Sequence, residues 1–206
     1  MTSSLSTIVL AAGLSRRMGA ENKLLLPFQG KTILETTVSN ILEAEIGEVI
    51  VVVGHEAEQV KKILNKRFSN LKIVENPDFE QGMTTSIKAG IRAAQENTEG
   101  YMICLSDMIL IESDEYEFLA KSLLEVLEID EKAIVQPIFQ EKRGNPVIFS
   151  TFYKNAILET TDTEGCRSVV QKYKSHVKLV EMATNHVLQD VDFREDYEKL
   201  LDNKIS

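Results

Sequence analysis

Cysteine is scarce in this chain, basic residues are outnumbered, and no long apolar run occurs. Each shortage excludes something. The two cysteines, Cys104 and Cys166, lie far apart, with no C-x-x-C pair and no Cys/His cluster at zinc spacing. Neither a disulfide framework nor a structural zinc is indicated. Lys and Arg number 23 against 32 Asp and Glu, a net charge of −9. That balance argues against sequence-independent nucleic-acid binding, which needs a basic surface. No run approaches the length of a membrane span. The opening "MTSSLSTIVLAAG" has no positive n-region and too short an apolar run for a signal peptide. The expected location is cytoplasmic, with neither membrane nor nucleic acid as partner. Repeats, low-complexity tracts and linker-like stretches are also lacking, so residues 1–206 are expected to form one domain.

What is present is alternation. β-branched apolar runs predict strands at Ser6–Ala11, Glu48–Val53, Leu71–Glu75, Tyr101–Leu105, Ala133–Pro137 and Pro146–Phe149. Helical patterns lie between the early ones, at Thr32–Glu43, Ala57–Phe68 and Thr84–Asn97. In the first, Ile33, Leu34, Thr37, Val38, Ile41 and Leu42 form the stripe of a helix packed on a sheet. Near-continuous apolar strands joined by helices predict an α/β fold with a mainly parallel sheet covered on both faces. Ligands bind such sheets outside the carboxyl ends of the strands. The positions to inspect are therefore Ala12-Gly13, Gly54-His55, Asn76-Pro77 and Ser106-Asp107.

The first of these opens the basic stretch "AAGLSRRMGAENK". Gly13 and Gly19 allow backbone amides to approach a phosphate, and Arg16, Arg17 and Lys23 supply countercharge. A plain solvated turn has the same composition, and spacing alone leaves both open. Two known phosphate loops are excluded. G-x-G-x-x-G fails because position 15 is Ser and position 18 is Met. A Walker A loop ending at Gly30-Lys31-Thr32 fails because Leu25 stands where its first glycine belongs.

"LAAGLSRRMGAENKLLLP" resembles the L-A-A-G-x-S-x-R-M-G…K-x-L-L-P signature of the MobA-like nucleotidyltransferases, and is most similar to their molybdenum cofactor cytidylyltransferase branch. Further pieces follow in the family's order: "VVVGHEAEQV", "NPDFEQGMTTSIKAGI", "CLSDM", "RGNPVIF", "EGCRSVV" and "DVDFREDY". The likeness covers nearly the whole chain. It implies a three-layer α/β/α sandwich with a mainly parallel mixed sheet, the Rossmann-like nucleotidyltransferase fold. Three departures stand out. Three residues separate Gly19 from Lys23 where two are usual, Ser106 and Ile109 flank Asp107 in place of Gly/Ala and Pro, and Phe193-Arg194 replace Thr-Pro.

The resemblance implies transfer of CMP from CTP to the terminal phosphate of molybdopterin, with pyrophosphate leaving, in maturation of a xanthine-dehydrogenase-type molybdoenzyme to which the chain would dock. It implies catalytic roles for Arg17, Lys23 and Asp107, and nucleotide contacts from Ala11, Ala12, Gly13, Arg17, Lys23, Gly54, Asn76, Gly82, Met83 and Ser86. Arg143, Gly144, Asn145 and Arg167 are the implied acceptor residues, and Asp107 and Asp192 the implied ligands of Mg²⁺ (or Mn²⁺). Competing local roles exist for several of these. Asp107 could cap a helix or form a turn, Asp192 could cap a helix over Phe193–Leu201, and Thr84 or Thr85 could cap the helix after Gly82. Asp190 is expected to be solvated, His55 to be a loop hydrogen-bonder and Cys104 to be core. The pair Ala11-Ala12 favours cytidylyl over guanylyl transfer, since the guanylyl branch carries L-A-G-G. Alternatives are guanylyl transfer to molybdopterin, sugar-1-phosphate nucleotidyl transfer, and a non-catalytic cofactor carrier.

Overall fold

Every second residue of the central strands faces a different set of helices, which is why those strands read as continuous apolar runs. The computed structural model describes residues 5–15 and 21–202. In chain order its elements are β1 (Leu5–Ala11), β2 (Pro27–Phe28), β3 (Lys31–Thr32), α1 (Ile33–Glu43), β4 (Gly47–Val53), α2 (Ala57–Arg67), β5 (Lys72–Glu75) and α3 (Met83–Ala93). They continue as β6 (Gly100–Leu105), α4 (Ser113–Leu127), β7 (Ile134–Phe139), β8 (Lys142–Arg143), β9 (Val147–Ser150), α5 (Lys154–Glu159), α6 (Arg167–Lys172), β10 (Val177–Glu181) and α7 (Arg194–Asp202). Strand order in the main sheet is β10-β7-β9-β6-β1-β4-β5, with β8 paired to β7. β1 pairs in parallel with both β4 and β6, β4 with β5, and β7 with β10. β9 runs antiparallel to β6 and β7.

On one face Val9, Val51, Val53, Met102 and Cys104 pack with α1, α2 and α4. On the other Ile8, Ile50, Val52, Tyr101 and Ile103 meet Ile87 and Ile91 of α3, Ile157 of α5 and Val169 and Val170 of α6. This is the expected three-layer α/β/α sandwich with a mixed, mainly parallel sheet. The sequence boundaries hold within a few residues. Thr32 caps α1 in a box with Glu35, each side chain bonding the other's backbone N–H. α4 and β10, not among the expected elements, fill the second half of the sheet and its cover.

The chain runs β1 to β4 to β5 on one side, then returns to place β6 on the other side of β1. A crevice opens where the direction of winding reverses, at the carboxyl ends of β1 and β6. Ala12-Gly13 and Ser106-Asp107 leave the sheet there.

Candidate active site

Asp107 is held in place by its main chain and not by its carboxylate. The preceding Ser106 donates its hydroxyl to the Leu10 carbonyl at 2.6 Å, while its own carbonyl accepts from Thr37 of α1 at 3.1 Å. The Asp107 carbonyl accepts from the Val191 N–H at 3.2 Å. The serine that departs from the family pattern thus ties β6 to the end of β1, and Asp107 is fixed relative to the 190s loop. The other departure, Ile109, is buried in the core.

Lys23 reaches this carboxylate from the far end of the basic loop. It begins a short 3₁₀ turn, Lys23–Leu25, anchored by buried Leu24. The Asn22 carboxamide accepts from the Leu24 N–H at 3.1 Å and donates to Glu56 at 2.9 Å. The longer Gly19–Lys23 spacing does not carry the lysine away. Its Nζ lies 2.5 Å from Asp107 Oδ2 and 2.7 Å from Asp192 Oδ1. Burial would lower the Lys23 pKa, but the two carboxylates outweigh it and raise it. The N–H groups of Asp192 and Phe193 donate to Asp196 in the first turn of α7.

A third carboxylate joins them. Asp190, expected to be simply solvated, is exposed, yet carboxylate oxygens of Asp107, Asp190 and Asp192 all lie within 4.8 Å of one another. Partial burial, followed by the charges of Asp107 and Asp192, pushes the Asp190 carboxyl up. The alternation Asp190-Val191-Asp192 carried the signal: Val191 is the buried hook, so its two neighbours share the opposite side. Asp107 Oδ1 is buried and has no hydrogen-bond partner, while Oδ2 engages Lys23. A buried carboxylate oxygen without a hydrogen-bond partner, on a residue whose carboxylate gathers with two more, fits a hard divalent cation.

These groups line a cleft of about 350 Å³, which also includes Ala12, Gly13, Ser15, Met83 and Ser86. Arg16, Arg17 and Gly19 lie outside the described residues. Ala11 is buried within β1, and Gly54 packs against Phe79 and Ala12. Asn76 is turned inward: its carboxamide donates to Thr85 and Ser86 and accepts from the Asp78 N–H. It therefore sets the position of Ser86. His55 bonds through its backbone to Ala12, and Cys104 is core, with burial raising its thiol. Neither Thr84 nor Thr85 caps α3. The Thr84 hydroxyl exchanges bonds with the backbone of Gly165, and Thr85 donates to carbonyls of Asp78 and Gly82. Gly82 has φ +117, and a Cβ there would lie 2.5 Å from the Thr163 carbonyl oxygen. That glycine lets the 160s loop close onto the start of α3.

The consequence is a second cleft of about 500 Å³, sharing Met83 and Leu105 with the first. All four expected acceptor residues, Arg143, Gly144, Asn145 and Arg167, line it. The tight turn of the hairpin falls at Gln140-Glu141, both at positive φ, so Gly144-Asn145 is not a turn of that kind. Gly144 donates to the Pro137 carbonyl at 2.8 Å, Asn145 donates to the Val187 carbonyl at 3.0 Å, and a Cβ on Gly144 would lie 2.4 Å from that same oxygen. The acceptor loop is thereby bolted to the segment that leads into Asp190 and Asp192. Gly144→Ala is expected to separate them, raising the KM of the acceptor and weakening cation binding together. Steady-state kinetics and a Mn²⁺ titration on the same sample check it.

A family model, the MobA-like NTP transferase domain, matches residues 7–177. The chain belongs to that family. Among relatives of this MobA-like protein, molybdenum cofactor cytidylyltransferase of Escherichia coli (strain K12) is 27% identical over 198 residues, covering 95% of this chain and 94% of that one. A probable molybdenum cofactor guanylyltransferase of Methanosarcina acetivorans is 32% identical over 174 residues, covering 82% and 73%. A Mycobacterium tuberculosis H37Rv protein solved in complex with manganese shares the fold at TM-score 0.70 and 21% identity, covering 97% of this chain and 99% of that one. As a MobA-like NTP transferase the protein belongs to a nucleotidyltransferase family. No helix among its described residues is long and apolar enough to cross a membrane.

Proposed function

We propose that this chain transfers CMP from CTP to the terminal phosphate of molybdopterin, releasing pyrophosphate. The observation that carries the reading is the pair of adjoining clefts. One holds Lys23 and three aspartates, the other Arg143, Asn145 and Arg167, and they meet at Met83 and Leu105. A two-substrate transfer between phosphates needs that juxtaposition.

A phosphate oxygen of the acceptor attacks the α-phosphorus of CTP, a new P–O bond forms, and the bond to the leaving pyrophosphate breaks. The nucleophile is already an anion, so no base is required and the protein's task is charge neutralisation and alignment. Lys23 and Arg17 grip the triphosphate, with the backbone from Ala12 to Ser15 at its side. Asp107 and Asp192, with Asp190 alongside, would hold Mg²⁺ (or Mn²⁺). That cation would neutralise charge on the phosphates. Met83 and Ser86 border the nucleoside, and Arg143 and Arg167 attract the acceptor's phosphate. Ala11-Ala12 supports cytosine as the base, and the likeness to the cytidylyltransferase supports the same choice. Guanylyl transfer is the second reading, favoured by the likeness to the guanylyltransferase. A client molybdoenzyme of the xanthine-dehydrogenase type would receive the product by docking.

Pyrophosphate release with molybdopterin and Mg²⁺, assayed across the four ribonucleotides, tests this. CTP is expected to turn over fastest. Release with GTP alone reverses the base assignment, and release with none overturns the reading.

A further inference from the structure

Asn22 and Glu56 meet although 34 positions separate them, and neither is among the described residues that line the first cleft. Their contact has no role in the steps above. Asn22 is 8% exposed. Its Oδ1 accepts from the Leu24 N–H at 3.1 Å, and its Nδ2 donates to Glu56 Oε2 at 2.9 Å. A backbone N–H can only donate and a carboxylate only accept, so the two ends of the carboxamide cannot exchange places. The Leu25 N–H adds a bond to the Asn22 carbonyl at 3.0 Å. Asn22 therefore holds the turn that Lys23 opens, and Glu56 holds Asn22.

Glu56 is itself fixed. It stands at the N-cap of α2 with φ +50 and makes no side-chain capping bond, although that place favours short side chains that reach the helix's free N–H groups. Its carbonyl accepts from the Gln59 and Val60 N–H groups, and Val60 is core. The N–H of the preceding His55 donates to the Ala12 carbonyl at 3.3 Å, so the same corner rests on the residue that follows β1. A carboxylate bonded to the neighbour of Lys23 opposes binding of a polyanion by charge alone. What it holds in place accounts for its presence. A lysine side chain is a flexible stem of four carbons, and its ammonium is aimed only as well as its main chain is fixed.

We propose that Glu56, through Asn22, positions Lys23 for the triphosphate. The inference rests on reading Lys23 as a grip on the nucleotide. The test uses the full chain in millimolar Mg²⁺, with nucleotide binding (CTP, or GTP if CTP is not bound) followed by isothermal titration calorimetry and the melting temperature measured alongside. Glu56→Met keeps the side chain's length and removes both oxygens. It is expected to weaken nucleotide binding about tenfold. Loss of a negative charge near an anion's site would by itself tighten binding, so the sign separates positioning from electrostatics. Glu56→Gln also removes the charge but keeps an oxygen for the Asn22 amide, and is expected to bind within about threefold of the unaltered chain or more tightly. Asn22→Asp sets two carboxylates against each other and is expected to lose about tenfold, and adding Glu56→Gln restores binding because the new amide donates to the new carboxylate. In a Lys23→Ala background Glu56→Met is expected to cost no further affinity, since its effect passes through the lysine. A merely structural role would lower affinity in both backgrounds. Unchanged affinity in Glu56→Met, an equal loss in Glu56→Gln, no rescue of Asn22→Asp, or an equal loss with and without Lys23 overturns the proposal. Failure of the transfer reading is distinguishable. A chain that binds nucleotide with this dependence yet transfers none overturns that reading and supports this one. Transfer with a nucleotide KM unchanged by Glu56→Met overturns this one alone, and a chain that binds neither nucleotide overturns both.

Discussion

Asp107→Asn is expected to lower metal-dependent turnover by about 10²–10³-fold, the range seen when one preorganised electrostatic group is removed from an active site. The side chain keeps its size. The bonds that place it run through Ser106, Thr37 and the Asp107 carbonyl, none of which the substitution touches. The loss should therefore be chemical and not structural. Far-UV circular dichroism is expected to stay close to that of the unaltered chain, and the melting temperature to fall less than in Lys23→Ala because Lys23 keeps Asp192 as its partner, while Mn²⁺ affinity, followed by electron paramagnetic resonance, falls with kcat. Near-normal turnover or unchanged Mn²⁺ affinity would remove Asp107 from the metal site.

Lys23→Ala is expected to lower stability further, because it leaves two carboxylates without their cation. Lys23 bridges Asp107 and Asp192, and its side chain and that of Asp107 are 14% and 12% exposed. Removing one partner of a largely buried pair leaves uncompensated charge, at a cost of about 3 kcal/mol. For a chain of this size that corresponds to a fall in melting temperature of roughly 6–12 °C. Millimolar Mg²⁺ is expected to restore much of it, because a divalent cation can take over the neutralisation and by binding only the folded state stabilises it. Apparent affinity for CTP should still fall in Mg²⁺, since the triphosphate has lost its lysine. A melting temperature indifferent to Mg²⁺ would show that the carboxylates do not gather a cation. The raised pKa gives the pH dependence its sign. The lysine's contribution is present at neutral pH and is lost only as pH rises through its raised folded-state value, above the ordinary 10.5.

Much of the site was legible because it hangs on strand ends. Continuous β-branched runs located β1 and β6, and the residues that follow them, Ala12-Gly13 and Ser106-Asp107, line the first cleft. Asn76 was legible as a position but not in what it does, because the partners of a carboxamide depend on what folds beside it. α4 carried the signal in plain spacing, with Tyr116, Leu119, Ala120 and Leu123 along one buried face. β10 was harder, a short strand with a single buried residue, Val180. Two of the departures from the family pattern meet in space. Glu21, in the lengthened loop, accepts from Arg194, which stands where the family has proline, at 2.8 Å. Nothing in either segment alone announced that contact.

By itself the sequence determined the α/β layering, the cap that starts α1, and the basic loop after the first strand. Those depend on side-chain periodicity and on residues a few positions apart, and such interactions are complete within a segment. The tertiary structure alone decided three things. It made β9 antiparallel, drew Asp190 into a cluster with Asp107 and Asp192, and fastened Asn145 to the Val187 carbonyl beside them. The physical reason is the same in each case. Electrostatic grouping and hydrogen-bond satisfaction depend on distances of a few ångströms between segments far apart in the chain, and only the packed sheet sets those distances.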